Sequence, residues 1–329
     1  MFFGLDIGYG QTKLSYGDKY ALPVSEVHPS GAALIELCDR GSGAESSERR
    51  SFGAEVLVDG VSYGSLIDPD QLSCGMGVLH AGYVSSSEYR ALYYGALSRL
   101  RGDVIEHLVT GVPVADFKDK AKLAGLQARL MGKHTIQKGR TVDVRKVSIF
   151  PQAAGAFLAH LDRQPLGYGK NDSLLVIDFG HFSVDWVLFV AGNYRDAVSG
   201  SLPHGGSVVI DNMRQLIFQK HHGYKISQER IFRYVRSGES KVELGSLSLD
   251  LESLKSQAAA QIAPRVMDNI LKTLRLEQTE VNRVLLCGGG TPFFVDYVKP
   301  AFGHAAVEEI PSAVLANAIG FRLFAQKDS

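Results

Sequence analysis

The chain has 329 residues, enough for two domains. At 45% hydrophobic and 21% charged it has the composition of a folded protein with sizeable cores, not of a disordered one. Its 35 basic residues balance 35 acidic ones, so net charge does not drive nucleic-acid binding, although a local patch stays open.

No apolar run reaches the roughly 18 residues of a membrane span. The first residues carry no basic n-region, so no signal peptide is expected. Cys38, Cys74 and Cys287 stand far apart, with neither a metal spacing nor a disulfide framework. A soluble, cytoplasmic protein is expected.

The chain opens with MFFGLDIGYGQTKL. An apolar run ends in Asp6, Gly8 and Gly10 follow, and alternation resumes after Lys13. This pattern predicts a strand, a tight glycine turn and a second strand. Glycines let a backbone approach a ligand closely, and such a turn aims N–H groups at an anion. Asp6 suits a hydrated divalent cation and Lys13 a phosphate. A dinucleotide fingerprint is excluded, because its third glycine and following helix are missing. A P-loop is excluded because Gly132-Lys133 is followed by His134 and has Gln127 where the first glycine belongs. An ordinary hairpin with an exposed lysine is the competing reading.

Further along, a third strand is expected near Lys19–Val24, and residues 41–50 read as an exposed loop. Arg50–Leu66 alternates, with turn signals at Asp59-Gly60 and Tyr63-Gly64. Ser87 is expected to cap a helix running to about Arg101, with Tyr89, Leu92, Tyr93, Ala96 and Leu97 on one face. Glu106–Val114 reads as a buried strand and Asp116–Met131 as a basic helix. Lys118 to Lys146 holds nine Lys/Arg against two Asp. That stretch is either a contact face for DNA or another subunit, or a plain solvated face. Val144–Ile149 reads as a strand, and Pro151-Gln152 opens a helix of small residues. The polar stretch Leu161–Asp172 marks a boundary between domains 1–160 and 161–329.

The second half opens with LLVID, ending at Asp178, followed by Gly180, Ser183 and a returning strand, Asp185–Val190. Helices are expected at Asp211–His222, from Ser227 to Arg236, and from Asp250 onward with a kink at Pro264. Ser237–Ser248 is a polar excursion. A strand at Val284–Cys287 leads into Gly288-Gly289-Gly290, and a final helix covers about 312–324. Strand–Asp–x–Gly–turn–strand thus occurs twice, about 170 residues apart. Two such domains face to face would set their carboxylates on either side of a cleft. A phosphate chain would sit there with Mg²⁺, which keeps several waters and takes few carboxylates.

Asp6-x-Gly8-x-Gly10-x-x-Lys13, Pro151-Gln152, Asp178-x-Gly180 and Cys287-Gly288-Gly289-Gly290, followed by a helix with Asn317 and Gly320, form an ordered set. This set resembles the five-motif ATPase signature of the actin, DnaK-type chaperone and sugar-kinase superfamily. Within it the chain looks most like the plasmid-partition actins of the ParM/StbA type. The wording IDFGHFSVDW is similar to the ParM-like D proteins of the PRTRC plasmid cassette.

The resemblance implies an α/β, two-lobed actin-like fold of duplicated ribonuclease H-like domains, with a central nucleotide cleft and the last helix packed back on the first domain. It implies an ATPase that uses ATP/ADP and Mg²⁺ and polymerises head-to-tail to segregate plasmid DNA. A DNA-binding adaptor on a centromere-like site would be its partner, with no membrane and no direct sequence-specific nucleic-acid contact.

By the same resemblance Asp6 and Asp178 orient waters around Mg²⁺, and with Gln152 they form the catalytic set. A neutral Gln is no strong base, so Gln152 would orient the attacking water. Gly8, Tyr9, Gly10, Gln11 and Thr12 cradle phosphates, with Lys13 on a phosphate oxygen. Gly180 and His181 form the opposing turn, and Gly205 and Gly206 line the nucleoside side. Gly288, Gly289 and Gly290 approach the adenosine, and Asn317 joins the cofactor-binding set. Glu229 and Arg230 fall in the region that touches adenine in relatives.

One departure stands out: His181 and Phe182 replace the small residues usual there, and would either crowd the γ-phosphate or point outward. Two other functions stay open on this fold. A small-molecule kinase needs a substrate-side Asp, and none is evident. A nucleotide-gated binding protein without polymerisation is the other, although the chaperone substrate domain is missing.

Overall fold

Alternating Phe3, Leu5 and Ile7 bury one face of the first strand, and the glycine turn after Asp6 returns the chain antiparallel to it. In the computed structural model β1 (Phe2–Ile7) pairs with β2 (Gln11–Gly17) so that Asp6 lies opposite Lys13. The described residues are 1–38, 53–68, 72, 82–163, 172–245, 247–276 and 280–328. The expected loop at 41–50, Cys74 and most of the stretch 161–172 lie outside them. The chain divides into two units, Met1–Pro165 with Val314–Ser329, and Leu166–Ala313.

In the first unit β3 (Val24–Pro29) follows β2, later than the expected Lys19–Val24, because a turn closed by Ala21 N–H on Asp18 O occupies that stretch. β4 (Gly31–Leu34), β5 (Ala54–Val58) and β6 (Val61–Ile67) form a small sheet. Asp59 and Gly60, both at positive φ, make its hairpin turn; Tyr63-Gly64 lies within β6 instead.

Helix α1 (Ser87–Ser98) is capped by Ser86, one residue before the expected cap, whose hydroxyl accepts from Tyr89 N–H at 3.1 Å. Ser86→Ala is expected to lower stability by about 1 kcal/mol, read from the urea midpoint. β7 (Val104–Ile105) and β8 (His107–Val112) follow, then α2 (Val114–Phe117) and α3 (Lys120–Leu130). The single basic helix expected here is two, because Asp119 accepts from the N–H groups of Ala121 and Lys122 and so starts a new helix.

β9 (Gly132–Gln137) and β10 (Arg140–Val144) make a hairpin; β11 (Val147–Pro151) and α4 (Ala154–Arg163) complete the run. The basic stretch is tied down locally. Lys122 pairs with Asp116, Arg140 with Asp103, Arg145 with Glu106 and Lys146 with Asp328. These acids all lie outside 118–146, which favours the plain reading of that charge run.

The second unit holds β12 (Ser173–Phe179), β13 (Val184–Val190), β14 (Asn193–Leu202), α5 (Gly206–Lys220) and α6 (Gln228–Arg236). The hairpin of β15 (Lys241–Leu244) and β16 (Leu247–Asp250) fills the polar excursion. α7 (Leu251–Ala260) and α8 (Ala263–Leu276) replace the single kinked helix expected. Pro264 lacks an N–H, so it falls in the first turn of a new helix instead of bending an old one. β17 (Arg283–Cys287), α9 (Thr291–Ala301) and β18 (Ala306–Glu309) close the unit. The last helix, α10 (Ala316–Lys327), packs on α4 and β1 in the first unit.

The two main sheets have the same topology. One runs β3-β2-β1-β8-β11 and the other β14-β13-β12-β17-β18. In each, the first three strands are antiparallel neighbours and the last three parallel ones. The duplicated α/β fold expected from the repeated motif is the one observed. Among the described residues no helix is long and apolar enough to cross a membrane.

Candidate functional site

Three expected residues of the first unit meet at Asp6, which is only 1% exposed. Its Oδ2 accepts from Lys13 Nζ at 3.1 Å and its Oδ1 from Gln152 Nε2 at 2.8 Å. The β1–β2 register delivers Lys13. Gln152 follows β11 and is fixed by its own N–H on Val112 O at 2.8 Å. Gly8 N–H donates to Gln11 O at 3.0 Å and closes the turn. A Cβ on Gly8 would sit 3.2 Å from Lys13 Nζ, so glycine leaves the room the ammonium uses. Gly10 O accepts from Ser30 N–H at 3.4 Å.

Tyr9, between the two glycines, stacks on Tyr83 with ring centroids 4.4 Å apart. Thr12 is fully buried and its hydroxyl lies 2.9 Å from that of Ser30, so its side chain serves the fold. Tyr89 stays protonated: burial, then the nearby charge of Asp6, pushes its hydroxyl well above the ordinary tyrosine range.

In the second unit Asp178 is 4% exposed and lies directly across from Asp185, which is 2% exposed. Cross-strand partners share a sheet face, so two carboxylates sit side by side at this strand end. Ser183 donates to Asp185 Oδ2 at 2.5 Å, and Gly180 N–H to Ser183 O at 2.9 Å. Gly288 holds φ +91, and a Cβ there would overlap Asp178 Oδ1 and Phe179 O. Gly290 N–H donates to Phe179 O at 2.7 Å, while Gly289 between them is exposed. The triple glycine therefore runs directly against the end of β12. His181 does not hang free: its ring lies 4.9 Å from that of Phe232 on α6.

One expected helix start needs correction. Gly205 and Gly206 are expected on the nucleoside side, ahead of a helix starting at Asp211. Instead α5 starts at Gly206, and the N–H groups of Gly205, Gly206 and Ser207 donate to Phe182, Gly180 and His181 carbonyls at 2.9, 3.0 and 2.7 Å. These first-turn donors hold the turn, and a Cβ on Gly205 would sit 2.7 Å from two of those carbonyl oxygens. Asn317 is buried, and its Oδ1 accepts from Ala156 N–H at 3.0 Å. It satisfies a first-turn donor of α4 across the two helices. Asp185 reads in the sequence only as the start of a strand. Its signal is its position: counting back through a four-residue turn pairs it with Asp178.

The donor set suits a hydrated cation and not a protein cage. Among the described residues no three His, Cys, Asp or Glu side chains gather as metal ligands. A few buried carboxylates at a glycine turn suit Mg²⁺, which keeps its waters and takes its other ligands from phosphates.

The family model for the N-terminal domain of actin-like proteins matches residues 4–155, and that for the C-terminal domain of the archaeal MreB-like actin homologue matches 176–299. The chain belongs to the actin-like superfamily. The first match holds Asp6, Lys13 and Gln152; the second holds Asp178, Gly180 and the triple glycine. Among solved structures this actin-like chain is similar to the archaeal actin homologue Ta0583, at 20% identity over all of both chains with TM-score 0.75. The same protein in complex with ADP matches at 20% identity, over 99% of this chain and 100% of that one, with TM-score 0.73. A 15-stranded ParM filament from Clostridium botulinum matches at 18% identity, over 99% and 98%, with TM-score 0.76. At these identities the likeness speaks to the fold. No curated protein sequence matches.

Proposed function

We propose that this actin-like chain binds ATP with Mg²⁺, hydrolyses it slowly, and polymerises head-to-tail in its ATP-bound state. The observation that carries the reading is the meeting of Lys13 and Gln152 on the buried Asp6 beside a glycine turn. Support comes from the ADP complex of an archaeal homologue and from the ParM filament of the same fold.

In this mechanism Lys13 offsets charge on a phosphate oxygen. Asp6 and Asp178 are the carboxylates that would hold a hydrated cation through its waters. Magnesium, when bound, neutralises charge on the β- and γ-phosphates. Gln152 gives Nε2 to Asp6, which leaves Oε1 to accept from the attacking water and orient it. Hydrolysis then weakens contacts between subunits, and heterologous contacts that do not close give helical filaments. The filament would move plasmid DNA in the cytoplasm through a DNA-binding adaptor, in the manner of the ParM/StbA type.

Light scattering and sedimentation with ATP, ADP and a non-hydrolysable analogue test the proposal. Polymer should appear with ATP and the analogue, disappear as ATP is consumed, and be absent in Asp178→Ala. A phosphorylated small molecule as product, with no polymer, would overturn it in favour of a kinase. Gln152→Ala is expected to slow hydrolysis about 100-fold while ATP affinity changes little, so its filaments should outlast those of the wild type.

A further inference from the structure

The residue following the Asp-x-Gly glycine carries a ring in both hairpins: Tyr9 after Asp6-Ile7-Gly8, and His181 after Asp178-Phe179-Gly180. Both rings dock on another ring from a neighbouring helical segment of the same unit. Tyr9 stacks on Tyr83 at 4.4 Å and 27°, and Tyr83 meets Tyr89 of α1 edge-on at 5.5 Å and 88°. His181 lies 4.9 Å from Phe232 at 58°, and the Arg236 guanidinium sits 5.5 Å from the Phe232 ring centroid. Each turn is thus held by a two-layer contact anchored on a helix.

A glycine turn without such an anchor samples many backbone states, and ordering it on a ligand costs conformational entropy. An aromatic pair contributes roughly 0.5–1.5 kcal/mol beyond the area it buries. The contact of the His181 ring with Phe232 ties the second turn to α6.

We propose that Tyr9 and His181 are positioning residues, and that their ring contacts with Tyr83 and Phe232 each hold a turn ready for a phosphate group of a nucleotide. This rests on the nucleotide-binding reading above. The test uses the full chain and titration calorimetry with Mg-ATP and with adenosine, which has no phosphates, alongside thermal melts. Tyr9→Leu, Tyr83→Leu and Phe232→Leu should each weaken ATP binding about three- to tenfold and leave adenosine binding within twofold. Tyr83→Phe should restore ATP affinity, because it keeps the stack. Equal losses for ATP and adenosine, or unchanged ATP affinity in folded Leu variants, would overturn the proposal. Tyr9→Leu, which alters a partly exposed ring, decides the first clamp if Tyr83→Leu does not fold. A wild-type chain that binds neither ligand would defeat the nucleotide reading itself.

Discussion

Replacing Asp6 with Ala is expected to abolish ATP turnover and to destabilise the first unit by about 3 kcal/mol or more. The carboxylate is 1% exposed and holds two partners, Lys13 at 3.1 Å and Gln152 at 2.8 Å. Removing it leaves an ammonium whose side chain is only 12% exposed, and breaking a buried pair from one side costs far more than the pair contributes. Asp6→Asn separates the two effects. It keeps the volume and an acceptor for Lys13, so the stability loss should be smaller, but it removes the charge proposed to order cation waters. Turnover should still fall at least 100-fold, by the scale of preorganised electrostatic groups. Urea denaturation and phosphate release measure the two separately. If Asp6→Asn turns over ATP at the wild-type rate, Asp6 has no part in the chemistry.

How much of this was legible in the sequence depends on how far each contact reaches along the chain. The acidic hairpins were legible because their signal is local: an apolar run, a carboxylate, glycines and a resumed alternation fix strand, turn and register within fourteen residues. Repetition of the pattern then exposed the duplicated sheet. What failed to show was where side chains and amides at the ends of elements are spent. Thr12 is committed to Ser30, eighteen residues away, and Asn317 to a helix 161 residues away. Gly205 and Gly206 are spent on a turn some 25 residues earlier, and no local pattern records that. Helix starts slipped for the same reason. Ser86 and Ser87 are equally good caps on paper, and the choice between them belongs to the packing of Tyr89 beneath.

Gly320→Ala is expected to cost at least about 3 kcal/mol, the upper range for overpacking, although it adds one methyl group in a helix that would ordinarily welcome it. A Cβ on Gly320 would overlap Gly155 O and lie 2.8 Å from Ala159 N; one on Gly155 would lie 2.5 Å from Asn317 O. A Cβ on Gly4 would overlap Ala318 O, so β1 approaches α10 as closely as α4 does. All these neighbours are backbone atoms, which cannot rotate away as a side-chain tip can, so the added methyl must push whole elements apart. Gly125 supplies the control. It is exposed on α3, and a methyl added there would have nothing within 4 Å, so Gly125→Ala should stabilise by about 0.5–1 kcal/mol through helix propensity. Urea midpoints should therefore move in opposite directions for the same chemical change. The strain also reaches the site, because Gln152 stands two residues before the start of α4, the helix that Gly320→Ala would displace. Where enough Gly320→Ala protein folds to assay, hydrolysis should fall further than ATP binding, since orienting a water depends on the position of the Gln152 amide more steeply than ligand affinity does. A Gly320→Ala chain with the wild-type midpoint would mean that α10 does not lie against α4, and the Asn317 cap on that helix would go with it.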